Sequence, residues 1–164
     1  SGVKLITSTS EEDHMASNRF AQVIALPLNY KGPIQVLDTL LVHHNAFKFY
    51  NDIKGRQKSG KSFFKDDLFF IEEEQFFMYY SDFKWTAYNR FCFVKPIPAT
   101  ESYIKKPFSE EPLIGIMRYT NKYLLSQGVN EGDIVCFAPD TEYEFNVEGE
   151  KLYRMYEHQI TMKL

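Results

Sequence analysis

One pattern occurs twice along the chain, and it limits the possible folds more than any other feature. Asp38-Thr39-Leu40-Leu41-Val42 matches Asp133-Ile134-Val135-Cys136-Phe137, in each case a turn aspartate followed by a short apolar strand. Further on, Asp67-Leu68-Phe69-Phe70-Ile71-Glu72-Glu73-Glu74-Gln75-Phe76 matches Lys151-Leu152-Tyr153-Arg154-Met155-Tyr156-Glu157-His158-Gln159-Ile160. Upstream, Val23-Ile24-Ala25-Leu26 parallels Leu113-Ile114-Gly115-Ile116. Between these landmarks, Phe47-Lys48-Phe49 parallels the alternating Tyr143-Glu144-Phe145. Four landmarks in one order predict two copies of a single unit. The 164 residues accommodate two such units of about 80 residues, a size that folds alone. The expected division is 1–82 and 83–164, with a hairpin inserted at 51–62 of the first copy.

The units read as β-structure. Short apolar runs recur between turn signals: Phe20–Leu28, Asp38–His44, Phe47–Tyr50, Asp67–Ile71, Gln75–Tyr80, then Arg90–Ile97, Leu113–Tyr119, Asp133–Ala138, Glu142–Val147 and Lys151–Met155. Runs of about 4 to 8 residues rich in β-branched and aromatic side chains are strand signatures. The aromatic load of 15 Phe, 11 Tyr and 1 Trp points the same way. Residues 121–128 can form a helical turn, and 71–77 fit either helix or strand. Many short strands joined by turns predict small barrels or sandwiches. Two long polar segments, 1–18 and 98–112, read as loops.

Several function classes fall away. The net charge of −3 opposes a general nucleic-acid binder, which needs a surplus of Lys and Arg. Cys92 and Cys136 make no disulfide framework and read as reduced core residues. No run is long enough for a membrane helix, and no secretory signal pattern is present, so a cytoplasmic chain away from membranes is expected. His43 and His44 point to opposite faces of a strand, and no His/Cys spacing fits zinc, so no metal is expected. Gly55-Arg56-Gln57-Lys58-Ser59-Gly60-Lys61-Ser62 satisfies the phosphate-loop pattern G-x-x-x-x-G-K-[ST]. That chemistry needs a helix opening directly after the loop, and Phe63-Phe64-Lys65-Asp66-Asp67 is a poor helix start. A basic hairpin tip explains the segment better. No nucleophile elbow or paired acid site is evident, so neither an enzyme nor a cofactor is expected.

Binding through loops remains. Val3, Leu5 and Ile6 sit in the first polar segment, and Tyr103, Ile104 and Phe108 in the second. A few apolar anchors in a polar loop suit docking to another protein.

These features resemble the chaperonin-10 family of GroES-like co-chaperonins. Asn89-Arg90-Phe91-Cys92-Phe93-Val94-Lys95 is similar to the family's D-R-V-x-V-K opening strand, and Val129-Asn130-Glu131-Gly132-Asp133-Ile134-Val135-Cys136-Phe137 to V-K-V-G-D-x-V-x-F. Residues 98–112 fall where that family has its mobile loop. Tyr143 to Met155 resembles the strand pair leading to the family's closing S-D-I-L-A, where His158-Gln159-Ile160-Thr161-Met162 stands. In the first unit, Ser1-Gly2-Val3-Lys4-Leu5 looks like the S-G-G-I-V-L loop segment, with Lys4 inside its apolar patch. Gln35-Val36-Leu37-Asp38 parallels the G-D turn with Leu37 in place of Gly. On that alignment the first unit lacks its opening strand. The resemblance implies an all-β protein of tandem GroES-like small β-barrels with long loops. It implies a homo-oligomeric lid that binds a chaperonin-60 ring through Val3, Leu5, Ile6, Tyr103, Ile104 and Phe108 and assists protein folding. The alternative is a structural one: the same barrel packed among other subunits of a larger assembly, such as a virion.

Overall fold

A computed structural model describes residues 4–9, 19–43, 46–47, 49–51, 53–59, 62–99 and 110–164; at 4–9, 19, 49–51 and 57–59 it describes the backbone alone. The protein is all-β, built of antiparallel sheets. The chain divides into two compact units, Ser1–Thr86 and Ala87–Leu164.

The first unit holds β1 (Lys4–Thr9), β2 (Arg19–Ala25), β3 (Thr39–Val42), β4 (Phe49–Asn51), β5 (Gln57–Ser59), β6 (Phe63–Lys65), β7 (Leu68–Glu72), β8 (Phe76–Ser81) and β9 (Lys84–Ala87), the last running one residue past the boundary. Seven of these form one sheet in the order β6-β7-β1-β2-β3-β8-β9, and β4 pairs with β5 in a separate hairpin. The second unit holds β10 (Phe91–Pro98), β11 (Glu110–Tyr119), the short helix α1 (Lys122–Ser126), β12 (Ile134–Phe137), β13 (Tyr143–Val147), β14 (Glu150–Tyr156) and β15 (Ile160–Lys163). Its sheet runs β13-β14-β10-β11-β12-β15.

The two orders are the same order. Matching β6, β7, β1, β2, β3 and β8 to β13, β14, β10, β11, β12 and β15 preserves every neighbour and also the irregularities. The register slips between Ile6 and Thr7 where β1 meets β2, and between Phe93 and Val94 where β10 meets β11. It slips again between Leu41 and Val42, and between Cys136 and Phe137. A bulge at one place in both copies is a built feature of the unit. A 3₁₀ turn follows β7 at Glu73–Gln75 and β14 at Glu157–Gln159, and each is closed by its glutamine.

The turn before β3 and β12 explains the repeated aspartate. Asp38 Oδ2 accepts from Gln35 N at 2.8 Å, and Asp133 Oδ2 from Asn130 N at 2.7 Å. Leu37 N donates to Val23 O, and Gly132 N to Met117 O, both at 2.8 Å. This geometry forces a positive φ, +90° at Gly132 and +77° at Leu37. Glycine meets it without cost. A leucine is strained there, because its Cβ crowds the backbone.

Three expectations need correction. Residues 4–9 of the supposed first loop are a strand, β1, bonded to β7 on one side and β2 on the other. β1 occupies the place of β10, so the first unit has its opening strand. The sequence Lys-Leu-Ile-Thr-Ser-Thr conceals it, because its polar half reads as loop although Ile and Thr suit a pleated sheet. The β2 landmark was displaced: the pairings set Val23 opposite the role of Met117, not Leu113. The counterpart of Tyr143–Val147 is β6, not Phe47-Lys48-Phe49, of which Phe49 opens the inserted hairpin.

Each unit has an apolar core. In the first, Leu40, Leu41, Val42, Ile71, Phe76, Phe77 and Met78 are buried. Consecutive buried residues on β3 and β8 mean that both faces are covered there. In the second, Cys92, Val94, Met117, Leu124, Val129, Val135, Phe137 and Met155 form one cluster. α1 lays Leu124 onto it. Its N-cap, the buried Asn121, accepts from Leu124 N and donates to Phe91 O and Glu157, which joins the helix to β10.

Candidate functional site

The docking residues named from sequence divide by position. Val3, Tyr103, Ile104 and Phe108 lie outside the described residues. Leu5 and Ile6 stand on β1, opposite Ile71 and Phe70 of β7, so their backbone belongs to the sheet interior and not to a loop.

The connection that carries Tyr103, Ile104 and Phe108 leaves β10 at Pro98 and returns to β11 at Glu110, and these two residues are paired. Its stem is heavily bonded. Lys151 Nζ donates to Glu110 Oε1 at 2.6 Å, and the Tyr153 hydroxyl donates to Glu110 Oε2 at 2.6 Å. One step along the sheet, Glu150 receives Lys95 Nζ at 3.0 Å and Arg118 Nε at 2.9 Å. For both carboxyls, burial pushes the pKa up, but hydrogen bonds from these partners outweigh it and hold it below the usual carboxylate range. Both are therefore fixed anions at neutral pH, suited to clamping cations rather than to delivering protons. Charge-assisted bonds of this kind are short and directional, and these tie the stem of the connection across β10, β11 and β14.

Beside it, Arg154 lies among three rings, with its guanidinium carbon 4.7 Å from the Tyr143 centroid and 5.4 Å from those of Phe91 and Tyr156. The arginine sits at a half-buried position and joins β13, β14 and β10 by cation–π contact. These stem residues were not singled out from sequence. Lys95, Glu110, Arg118, Glu150, Lys151 and Tyr153 meet only through strand pairing across 32 to 55 positions, a separation that no local spacing reports.

The other sequence motifs resolve as follows. Gly55 and Arg56 belong to the turn of the β4–β5 hairpin, Gln57–Ser59 is β5, and the element after Ser62 is the strand β6. A phosphate loop opens onto a helix, so the match is one of letters. Burial pushes the Cys92 thiol up to about 12, and its sulfur contacts Met155 O at 3.6 Å, so it is a core group without nucleophilic character. His43 packs its ring on Phe77, and His158 stacks on Tyr156. Among the described residues no three His, Cys, Asp or Glu converge as a metal site, and no helix is long and apolar enough to cross a membrane.

No family model matches this chain, and no curated protein matches it.

Proposed function

We propose that the chain is a tandem GroES-like co-chaperonin, an oligomeric lid of the cytoplasm that engages a chaperonin-60 ring. The observation that carries this reading is the repeat: two units of one strand order, each with a long connection between its first two strands. In the second unit that connection holds Tyr103, Ile104 and Phe108 between polar residues, on the charged stem described above. With Leu5 and Ile6 on a strand, docking rests on this second connection. Weak single contacts then add by avidity across the copies of an oligomer.

The test is co-sedimentation of the purified chain with a chaperonin-60 ring in the presence of ATP. A nucleotide-dependent complex is expected, weakened at least about tenfold (about 1.4 kcal/mol) by Ile104→Asp. No complex, or one indifferent to Ile104→Asp, rejects the lid. Negative-stain images of closed rings favour it over the structural alternative.

A further inference from the structure

Two bulky apolar residues of the first unit stand in the left-handed backbone region. Leu37, at φ +77°, lies in the turn before β3, and Phe83, at φ +61°, in the turn between β8 and β9. The second copy places glycine in Leu37's role, at Gly132. The β8–β9 turn is the two-residue loop Asp82-Phe83 with positive φ at both positions, a geometry that favours Asp-Gly. The β13–β14 hairpin meets the same demand with Glu148-Gly149. A large side chain is strained in this region. Neither residue recovers that cost by burial, since both side chains are exposed, that of Phe83 to 95%. Strain that the fold itself does not need points to a function.

The two turns lie at one end of the sheet. β3 begins at Thr39 opposite Tyr80, near the end of β8, and Leu37 N donates to Val23 O near the end of β2. The connection from β2 to β3, residues 26–38, adds the exposed Val36 and Leu28, the latter 96% exposed, and Ile24 is exposed just before it. The connection is bonded to itself. Ile34 is buried, Tyr30 N donates to Pro27 O at 3.2 Å, and Asp38 N donates to Gln35 O at 3.2 Å. Side chains carried on such a frame lose less ordering entropy on binding.

Ile24, Leu28, Val36, Leu37 and Phe83 together expose on the order of 500 Å² of apolar surface, given about 150–250 Å² for a whole large aromatic side chain. One side of a standard protein interface is about 800 Å², of which somewhat more than half is apolar. The end therefore supplies what one partner of such an interface contributes. Across 26–38 and 82–83 the only charges are Lys31, Asp38 and Asp82, in a chain that is 25% charged. A surface so poor in charge offers little to nucleic acid or to an anionic headgroup. It complements itself, apolar on apolar, without bringing blocks of like charge together.

We propose that this end of the first unit, built on Leu37 and Phe83, is an isologous docking surface for a second copy of the chain. The surface uses no residue of the 98–112 connection, so it stands or falls apart from the chaperonin-60 reading.

The experiment is sedimentation velocity of the full chain from about 1 to 100 µM without a chaperonin ring, where an interface of this size gives a dimer in the micromolar range. Leu37→Gly and Phe83→Gly are each expected to weaken the dimer at least about tenfold. Each is also expected to raise the melting temperature at the dilute end of the series by about 3 °C, because strain is removed. Leu28→Ser, at an unstrained position, is expected to weaken the dimer about fivefold or more at an unchanged melting temperature. A monomer throughout overturns the proposal, as does an oligomer that neither glycine variant weakens, because its interface then lies elsewhere. A melting temperature lowered by either glycine variant also overturns it, since that side chain then serves its own unit. Binding of the parent chain to phosphatidylcholine vesicles with no dimer in solution overturns it in favour of a lipid surface.

Discussion

The two units solve one construction problem with different materials. In Ala87–Leu164 the rungs beside the apolar core are joined by ions: Glu150 clasps Lys95 and Arg118, and Glu110 clasps Lys151 and Tyr153. In Ser1–Thr86 the corresponding rungs carry Ser8 for Lys95, Ile24 for Arg118, Phe69 for Tyr153 and Phe70 for Arg154. There the bracing is aromatic, with Phe64 on Phe70 at 4.9 Å, and Phe20 and Tyr80 on Trp85 at 5.9 and 5.3 Å. The β6–β7 hairpin also turns earlier, at Asp66-Asp67, so no strand extends to present a Glu150 and a Lys151. The shared strand order requires only that the inner face be apolar, and each copy is free to hold its other contacts together by rings or by charges.

The largest expected effects test whether the copies are energetically separate. Ile71 and Met155 stand at equivalent places and are both fully buried. Truncating either to alanine is expected to cost about 2–5 kcal/mol through lost burial and an unfilled cavity. Trp85, the one tryptophan, is 7% exposed and belongs to the first unit's sheet. Urea denaturation followed by its fluorescence is expected to shift with Ile71→Ala and to stay in place with Met155→Ala, while far-UV circular dichroism registers both. An equal shift of the Trp85 transition by Met155→Ala would mean that the copies unfold as one.

A sharper contrast lies where the opening strand crosses the next one. Gly115 of β11 faces β10 so closely that a Cβ would overlap the Val94 side chain and approach Lys95 O to 2.8 Å. The equivalent residue in the first unit is Ala21, opposite Thr9. Gly115→Ala is expected to destabilise the second unit by about 1–3 kcal/mol, as overpacking does. Ala21→Gly costs less, about 1 kcal/mol, from a more flexible unfolded chain and a lost methyl. Thermal melts of the two variants check the asymmetry, and equal losses would remove it.

The aspartate turn supplies a smaller and opposite pair. Leu37 is 67% exposed in a backbone region that costs a leucine about 1–2 kcal/mol. Leu37→Gly removes that strain and adds some unfolded-state entropy, for an expected net gain of about 0.5–1 kcal/mol. Gly132→Leu introduces the strain and is expected to lose about 1 kcal/mol. A melting temperature that falls with Leu37→Gly would show that the exposed leucine makes a contact worth more than its strain.

How far the fold was readable follows from which positions are tied to a local rule. The Asp38/Asp133 and Asp67/Lys151 alignments coincide with the structural equivalence, because a turn acid before a buried run, and a 3₁₀ turn closed by glutamine, are local chemistry that repeats with the unit. β1 escapes a sequence reading because its second half is Thr7-Ser8-Thr9, which suits a strand and a loop alike. β6 was missed because the insertion places an equally aromatic segment, Phe47–Tyr50, ahead of it. The ion clusters at the stem are illegible in principle: Glu110 meets Lys151 and Tyr153 only once β11 and β14 are laid on either side of β10.

The same clusters give the smallest effect and a pH signature. The Glu110 carboxyl titrates below its ordinary value in the folded protein. A carboxyl lowered by folding adds stability that is fully present above its unfolded pKa and is lost as pH falls through the folded one. Glu110→Gln is therefore expected to cost under about 1 kcal/mol at pH 7, since the pair is partly exposed and screened by solvent. The cost should vanish at a pH below the folded pKa, where the parent carboxyl is itself neutral. The first unit pairs Leu68 and Phe69 where the second has Leu152 and Tyr153, so it lacks the hydroxyl that holds such an acid. The far-UV signal, which follows both units, is expected to lose its high-pH margin in the variant while the Trp85 signal keeps one pH profile in both proteins. A Trp85 transition that follows Glu110→Gln would place the clamp's energy in both copies and end the division between an ionic and an aromatic unit.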